Sequence, residues 1–222
     1  MEAMVVVAIV GALSLMTVPM MARYRLVEDT RSHANMIARA VNEARSQAMA
    51  AGNPTFLLFD DPDNPNAAIP QAQANRFALL VNDLDSNGQF NAGDTARNFQ
   101  QKDGLADEVT GYGMGPVLPF PNAPLAPEDP VAGSGNPVCA PCIQVGDLNG
   151  ATTFPLDPTT NAPAIGFNSQ GIPVALATPT QWGTGAGAYY VTDNDRSVYA
   201  VIVLPLGGVR VRVLSTVEGN WH

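Results

Sequence analysis

Residues 1–22 read MEAMVVVAIVGALSLMTVPMMA, an apolar run whose one carboxylate, Glu2, stands at its edge. No charged side chain occurs from Ala3 to Ala22. About 20 residues at roughly 1.5 Å each match a bilayer core of about 30 Å, so the run can cross a membrane as a helix. It could be a cleaved signal peptide, a transmembrane anchor, or a helix that resides first in a membrane and later in a protein assembly. A signal peptide is disfavoured because no basic residue precedes the run.

The continuation, RYRLVEDTRSHANMIARAVNEARSQAMAAG, has helical spacing. Apolar or small residues recur every three or four positions, namely Val27, Thr30, Ala34, Ile37, Val41, Ala44 and Ala48. The pattern predicts one helix over residues 1 to about 51, ended by Gly52 and Pro54. Pro19 lacks a backbone donor and Gly11 lacks a side chain, so we expect a bend or local unwinding between them.

The start of this helix resembles the N-terminal helix of type IV pilins and type II secretion pseudopilins. The shared pattern is Glu2, then AMVVVAIVGALSLMTVP, with Gly11 nine residues on and Pro19 eight further. The resemblance implies that Glu2, Gly11 and Pro19 serve assembly, that a prepilin peptidase cleaves the precursor, and that the new N-terminus is methylated. Only Met1 precedes Glu2, whereas the family has a longer lead-in, so we expect the leader and the first mature residues to be missing here.

The stretches NEARSQAMAAGNPTFLLF and FNSQGIP resemble the GspH/FimT-like pseudopilins more narrowly. In that family an ARSxA helix end, a glycine-asparagine turn and a strand follow in this order. The implied fold class is α+β and pilin-like, with the long N-terminal helix packed on an antiparallel β-sheet. Residues 1–52 would form the assembly and transmembrane helix, and residues 53–222 a β-rich globular head.

Strand patterns in the head support an antiparallel sheet, because apolar and β-branched segments alternate with short turns. The predicted strands are Thr55–Phe59, Arg76–Val81, Ala164–Asn168, Ile172–Leu176, Ala188–Thr192, Ser197–Leu204 and Gly208–Leu214. Between them, at about 104–163, lies a Pro/Gly-rich insertion with eleven of the 19 prolines. Missing backbone donors exclude sustained pairing there. The insertion is predicted to be an ordered lid, an outward face for neighbouring subunits, or both.

The sharpest chemical motif is NDLDSNGQFNAGDT, which follows the second predicted strand. Its oxygen-bearing residues have the order of an EF-hand-type calcium loop, with Gly88 allowing the turn: Asp83, Asp85, Asn87, Gln89 through its carbonyl, Asn91 and Asp94. A structural Ca²⁺ ion is one interpretation. The other is a metal-free acidic turn, because Asp, Asn and Gly also form tight turns by themselves and strands flank the loop.

The two cysteines form a Cys139-Ala-Pro-Cys142 motif. A Cys-x-x-Cys pair can be a redox catalyst, half of a metal site or a small disulfide. No second ligand pair or thioredoxin-like context accompanies it, since His33 and His222 are distant and isolated. A disulfide between Cys139 and Cys142 is therefore predicted for an oxidising compartment.

Composition argues against two function classes. The chain of 222 residues has a net charge of −9, which disfavours a broad nucleic-acid-binding face. Arg210 and Arg212, in GGVRVRV, are the one cationic strip that could bind DNA, but such arginines more often pair with carboxylates. No G-x-S-x-G, H-E-x-x-H, phosphate loop or paired His and acid occurs, so we do not expect an enzyme.

The sequence thus predicts a structural subunit, a pilin, of an extracellular type IV pilus-like filament built from identical copies. The alternative is a minor pseudopilin of a type II secretion system or competence pilus, with DNA uptake as a further possibility. Before assembly, the precursor would be anchored in the inner membrane by Ala3–Ala22 and would meet an assembly platform and the prepilin peptidase.

Overall fold

The computed structural model describes residues 2–59, 69, 76–84, 86, 94–100, 126–128, 151–152, 154–155, 157–160, 162–177, 179–192, 197–215 and 220–222. Within its helix and strands, no side chains are described for residues 2–23, 25–26, 29, 76, 100, 151–152, 192, 197, 215 and 220.

Helix α1 spans Glu2–Ala51 and is helical without a break. Of the two predicted alternatives between Gly11 and Pro19, local unwinding is therefore wrong, and a bend stays a prediction. Pro19 removes one hydrogen bond from the ladder, and the bonds on either side keep the backbone helical. The predicted end is confirmed: the Gly52 amide donates to Ala48 O at 3.0 Å, and Gly52 has φ +70°, a conformation that glycine adopts at helix ends.

Ten strands are described, and they form two antiparallel sheets. They are β1 (Thr55–Phe59), β2 (Arg76–Asn82), β3 (Thr95–Gln100), β4 (Ala151–Thr152), β5 (Ala164–Phe167), β6 (Pro173–Val174), β7 (Gly187–Thr192), β8 (Ser197–Val203), β9 (Val209–Ser215) and β10 (Asn220–Trp221). The first sheet has the order β3-β2-β1-β5-β6, and the second has the order β10-β9-β8-β7-β4.

The predicted fold class, a pilin-like long helix packed on an antiparallel sheet, is wrong. The described head has two five-stranded sheets instead of one, and beyond α1 its described secondary structure is all β. Described buried side chains on α1 begin at Thr30, and this part of the helix lies against strands of both sheets. The physical reason is that β1 and β8 are apolar on both faces, so each sheet buries one face in a core shared with α1 and the other face in an outer cluster of its own.

Apolar side chains on each sheet alternate between a shared core and a separate outer cluster. In β1, Leu57 and Phe59 belong to the shared core, while Phe56 and Leu58 belong to the outer cluster of the first sheet. The second sheet behaves in the same way. The β8 members of the shared core are Tyr199, Val201 and Val203, and those of the outer cluster are Val198, Ala200 and Ile202.

Aromatic rings join the two sheets inside the shared core. The ring centroids of Phe59 on β1 and Tyr189 on β7 are 5.0 Å apart, and Phe154 stacks on Phe59 at 5.5 Å. All three residues are buried. Such pairs add about 0.5–1.5 kcal/mol beyond the burial of their area, so they help to fix one sheet against the other.

Two glycine turns, one from each sheet, meet at the C-terminal end of the helix. Gly171 follows β5 with φ +73°, and Gly207 lies between β8 and β9 with φ +83°. A Cβ added at Gly207 would collide with Gly171 O and lie 3.0 Å from Arg45 Nε. The two turns can therefore approach this closely because Gly207 has no side chain.

We expect Gly207→Ala to lower the free energy of unfolding by about 2 kcal/mol or more, since a positive φ alone costs an alanine about 1–2 kcal/mol. Gly208→Ala is the matched control, because its added Cβ would meet only Leu204 Cδ1, at 3.5 Å. Urea denaturation of both variants checks the prediction. Equal midpoints for the two would contradict the close contact.

Candidate functional site

The head buries one stretch of α1 between its two sheets. We call this stretch, residues 30–48, the seat. Its buried side chains recur every three or four residues: Thr30, His33, Ala34, Ile37, Ala38, Ala40, Val41, Ala44 and Ala48. Val27 of the predicted helical stripe is half-buried, and the other six residues of that stripe are buried. Five of the nine are alanines, which let strands of both sheets approach the helix axis closely. The seat therefore fixes the helix on two sides.

N-terminal to the seat, the helix continues to Glu2. The 28 residues before Thr30 correspond to about 42 Å at 1.5 Å per residue. Tyr24 is 74% exposed and Glu28 is also exposed, so the head does not cover this part of the helix at those positions. Glu2, Gly11 and Pro19 lie on this extension, but their side chains are outside the description.

Among the residues that the structure describes in full, no helix is long and apolar enough to span a bilayer. The predicted membrane segment, Ala3–Ala22, consists of residues whose side chains are not described.

His33 is a buried titratable group inside the seat. Its ring makes an edge-on contact with Phe77 of β2, with centroids 5.6 Å apart. Burial lowers the pKa of the imidazole from 6.5 to about 3, because the charged form would lose its water. His33 is therefore neutral in the folded protein at neutral pH. In the sequence only its position next to Ala34 on the helical stripe could have indicated this.

At the other end of the seat, Arg45 connects the helix to the meeting turns. Its Nε donates to Gly171 O at 3.1 Å. This bond brings the ARS part of NEARSQAMAAGNPTFLLF into direct contact with the SQG part of FNSQGIP.

In the same part of the helix, Glu43 forms an ion pair with Arg97 of β3. The Arg97 guanidinium lies 5.3 Å from the Phe99 ring centroid.

A groove of about 370 Å³ opens beside the point where the helix leaves the head. We call it the exit groove. Its lining comes from α1, β8, β9 and the chain end: Arg31, Asn35, Tyr199, Val211, Arg212, Val213 and His222. A lining that combines apolar and polar side chains is typical of a surface that receives a side chain or small molecule.

Arg210 and Arg212 bind one carboxylate, that of Glu128. Arg210 Nη1 donates to Glu128 Oε1 at 2.7 Å, and Arg212 donates through Nε at 2.9 Å and Nη2 at 2.5 Å. The hydrogen bond from Arg212, followed by the hydrogen bond and charge of Arg210, holds the pKa of Glu128 at about 2. The same contact raises the pKa of Arg212. The predicted pairing of these arginines with a carboxylate is confirmed.

The same contact attaches part of the Pro-rich insertion to the second sheet. Ala126 is buried in the outer cluster of that sheet, and its amide donates to Tyr190 Oη at 3.2 Å. Residues 126–128 are thus docked on the sheet, as the lid interpretation predicts for this point of the insertion. Cys139 and Cys142 lie outside the described residues, so their predicted disulfide stays a prediction.

Two of the six predicted calcium ligands are described. Asp83 is buried, and Asp94 Oδ1 accepts a hydrogen bond from the Leu84 amide at 2.9 Å. This bond closes the loop by a carboxylate-to-backbone contact, which also serves a metal-free turn. Asp85, Asn87, Gln89 and Asn91 are outside the description. Among the described residues, no group of three or more His, Cys, Asp or Glu side chains could hold a metal ion.

Comparison with protein-family models, curated proteins and solved structures finds no match for this chain.

The buried His33 should make stability depend on pH. Its folded pKa lies below its unfolded value, so the unfolded state gains a proton first as pH falls, and stability is lost below about pH 6.5. Between about pH 7.5 and 5.5 we expect a loss of about 1.4 kcal/mol. Denaturant titrations of His33→Gln should lack this component, whereas the exposed control His222→Gln should keep it. An unchanged slope in His33→Gln would contradict the assignment.

The calcium interpretation predicts that added calcium raises the melting temperature and releases or absorbs heat on titration. Asp85→Asn should abolish both effects, because it removes a charged ligand from the predicted loop. Asp157→Asn is the control, since Asp157 binds Thr160 in a different turn. If calcium changes neither heat nor melting, the metal-free turn is the correct interpretation.

Proposed function

We propose that this chain is a structural subunit, a pilin, of an extracellular type IV pilus-like filament. One observation carries the proposal. The helix runs without a break from Glu2 to Ala51, while its described buried side chains begin only at Thr30. The sequence of the extension is apolar and uncharged from Ala3 to Ala22. A head of this size leaves such a helix to be covered by something else.

The apolar extension of the helix suits two environments, one before assembly and one after it. A bilayer core can hold the apolar run before assembly. Helices of neighbouring copies can then replace the lipid around the same atoms. Exchanging lipid for protein keeps the same apolar atoms out of water, and this burial is worth about 25 cal/mol per Å². The contacts between helices are repeated along a fibre, so their energies add up. An inner-membrane platform would move each copy between these environments.

Glu2 is the one charge that this exchange has to accommodate. A lone carboxylate in an apolar core costs several kcal/mol unless a partner neutralises it. The resemblance to type IV pilins implies the positively charged N-terminal amine of the same or an adjacent copy as that partner. Glu2 would then set the register of each arriving subunit.

The packing of the seat in the head also supports the proposal. Burial between two sheets, together with the Arg45 bond to Gly171, fixes the direction in which the helix leaves the head. A fixed direction is what a helical assembly needs, because every copy must present its helix at the same angle. The pairing of Arg210 and Arg212 with Glu128 offers no support for DNA uptake, since both arginines already bind one carboxylate of the same chain.

We expect Glu2→Ala to block or strongly slow filament formation while the head stays folded. Glu28→Ala is the matched control, because it removes an exposed carboxylate from the same helix. Filament yield in electron micrographs, together with the melting curve of each variant, measures the two effects. Normal filament yield from Glu2→Ala would be decisive evidence against the proposed role of this residue.

Imaging also separates the major subunit from the minor one. Helical order with this chain as the repeating unit supports the filament subunit. Labelling that finds a single copy at each filament tip would instead assign the chain to the minor pseudopilins.

A further inference from the structure

Exposed apolar side chains are concentrated at the two ends of the seat. Among the described residues, the exposed large apolar side chains are Tyr24, Met49, Leu84, Trp182, Leu206 and Val211. Met49, Trp182 and Leu206 lie at the C-terminal end, and Tyr24 and Val211 lie at the end where the helix leaves the head. Only Leu84, in the loop after β2, belongs to neither group.

The residues at the C-terminal end lie on turns that approach one another closely, and we call them the tip patch, defined as Met49, Trp182, Pro205 and Leu206. A Cβ added at Gly171 would lie 2.9 Å from Met49 Sδ, and the Gly171 turn touches the turn that carries Leu206. A Cβ added at Gly183, next to Trp182, would lie 3.3 Å from Pro205 Cβ. Trp182 is 65% exposed and Leu206 is 79% exposed.

The exit groove lies at the opposite end. Arg31 and Asn35 precede Arg45 by 14 and 10 residues, which places them about 21 Å and 15 Å away along the helix axis. Tyr24 is seven residues before Arg31 and so lies on the same helical face. The walls of the groove include Tyr199, Val211 and Val213.

The tip patch offers an exposed aromatic ring, and the exit groove offers apolar side chains and the exposed guanidinium of Arg31. The groove, about 370 Å³ in volume, has the size of a small ligand pocket, and an indole ring fits such a space. Arg31 is exposed, and none of the ion pairs among the described residues involves it. A guanidinium over the face of a tryptophan ring is electrostatically attractive. Trp182 therefore offers both an apolar ring and a partner for Arg31.

We propose that the tip patch of one copy docks in the exit groove of the next copy, with Trp182 as the anchor. The occupant is a second copy because both halves of the contact lie on this chain, at opposite ends of the seat. A contact between two different surfaces of identical subunits continues indefinitely where its rotation does not close a ring, and so it generates a filament. The inference rests on the proposed filament function and gives the heads their own part in it.

A photochemical crosslink tests the contact in the full chain. The variant Trp182→p-benzoylphenylalanine carries a photoreactive ring at the anchor position. Irradiated filaments, formed from isotopically heavy and light copies, should yield peptides that join residue 182 of one copy to the stretch 31–35 or 211–222 of another. Leu84→p-benzoylphenylalanine is the matched control, an exposed apolar position outside both surfaces, and it should not give these products.

A second pair of variants measures how much Trp182 contributes to filament growth. Trp182→Ala should raise the concentration needed for filament growth about tenfold or more, as expected for a buried aromatic anchor. Arg31→Ala should have a smaller effect, and the double variant should be no worse than Trp182→Ala alone if the two side chains act on each other. Leu84→Ala should leave growth unchanged.

The outcomes separate this inference from the proposed function. Filaments that form without the crosslink to the exit groove overturn the docking contact and leave the filament role in place. If the unchanged chain forms no filaments, the filament role fails, and irradiation of the detergent-solubilised full chain decides the contact. The crosslink between copies then supports docking, and its absence overturns it.

Discussion

The structure depends on burying one stretch of helix between two antiparallel sheets. Ala34, Ala40, Ala44 and Ala48 are fully buried there, and their small side chains let β strands approach from two directions. Larger residues in these positions would hold the sheets apart and open gaps in the shared core. Because both sheets meet on the helix, its direction relative to the head is determined by packing on two sides.

Contacts at the two ends of the seat follow from this arrangement. At the C-terminal end, Arg45 reaches the Gly171 turn, and the Gly207 turn closes against it. At the other end, the helix leaves the head beside the exit groove. Under the proposed function, the first end orients the helix, and the surfaces at both ends face neighbouring copies. A single helix would then connect assembly in the fibre core to contacts between heads.

Charge has a different role in the head. The chain is acidic overall, and the two arginines of β9 share one carboxylate from the insertion. With Ala126 bonded to Tyr190, this contact docks the insertion on the outer face of the second sheet. An arginine pair that first suggested nucleic-acid binding thus holds the insertion to the second sheet of the same chain.

Local patterns determined the helix, its end at Gly52, and the strands β1, β2, β5, β7, β8 and β9, because spacing and glycine geometry are properties of neighbouring residues. The strand β3, Thr95–Gln100, was missed because TARNFQ has no apolar alternation; its place comes from pairing with β2. The apolar run of the first 22 residues and the calcium motif were readable from the sequence, but their roles remain predictions. Only the tertiary structure decided that there are two sheets, that His33 is buried, and that Arg45 reaches Gly171, which is 126 residues away. Such contacts depend on where packing brings distant segments together, and no local pattern records that.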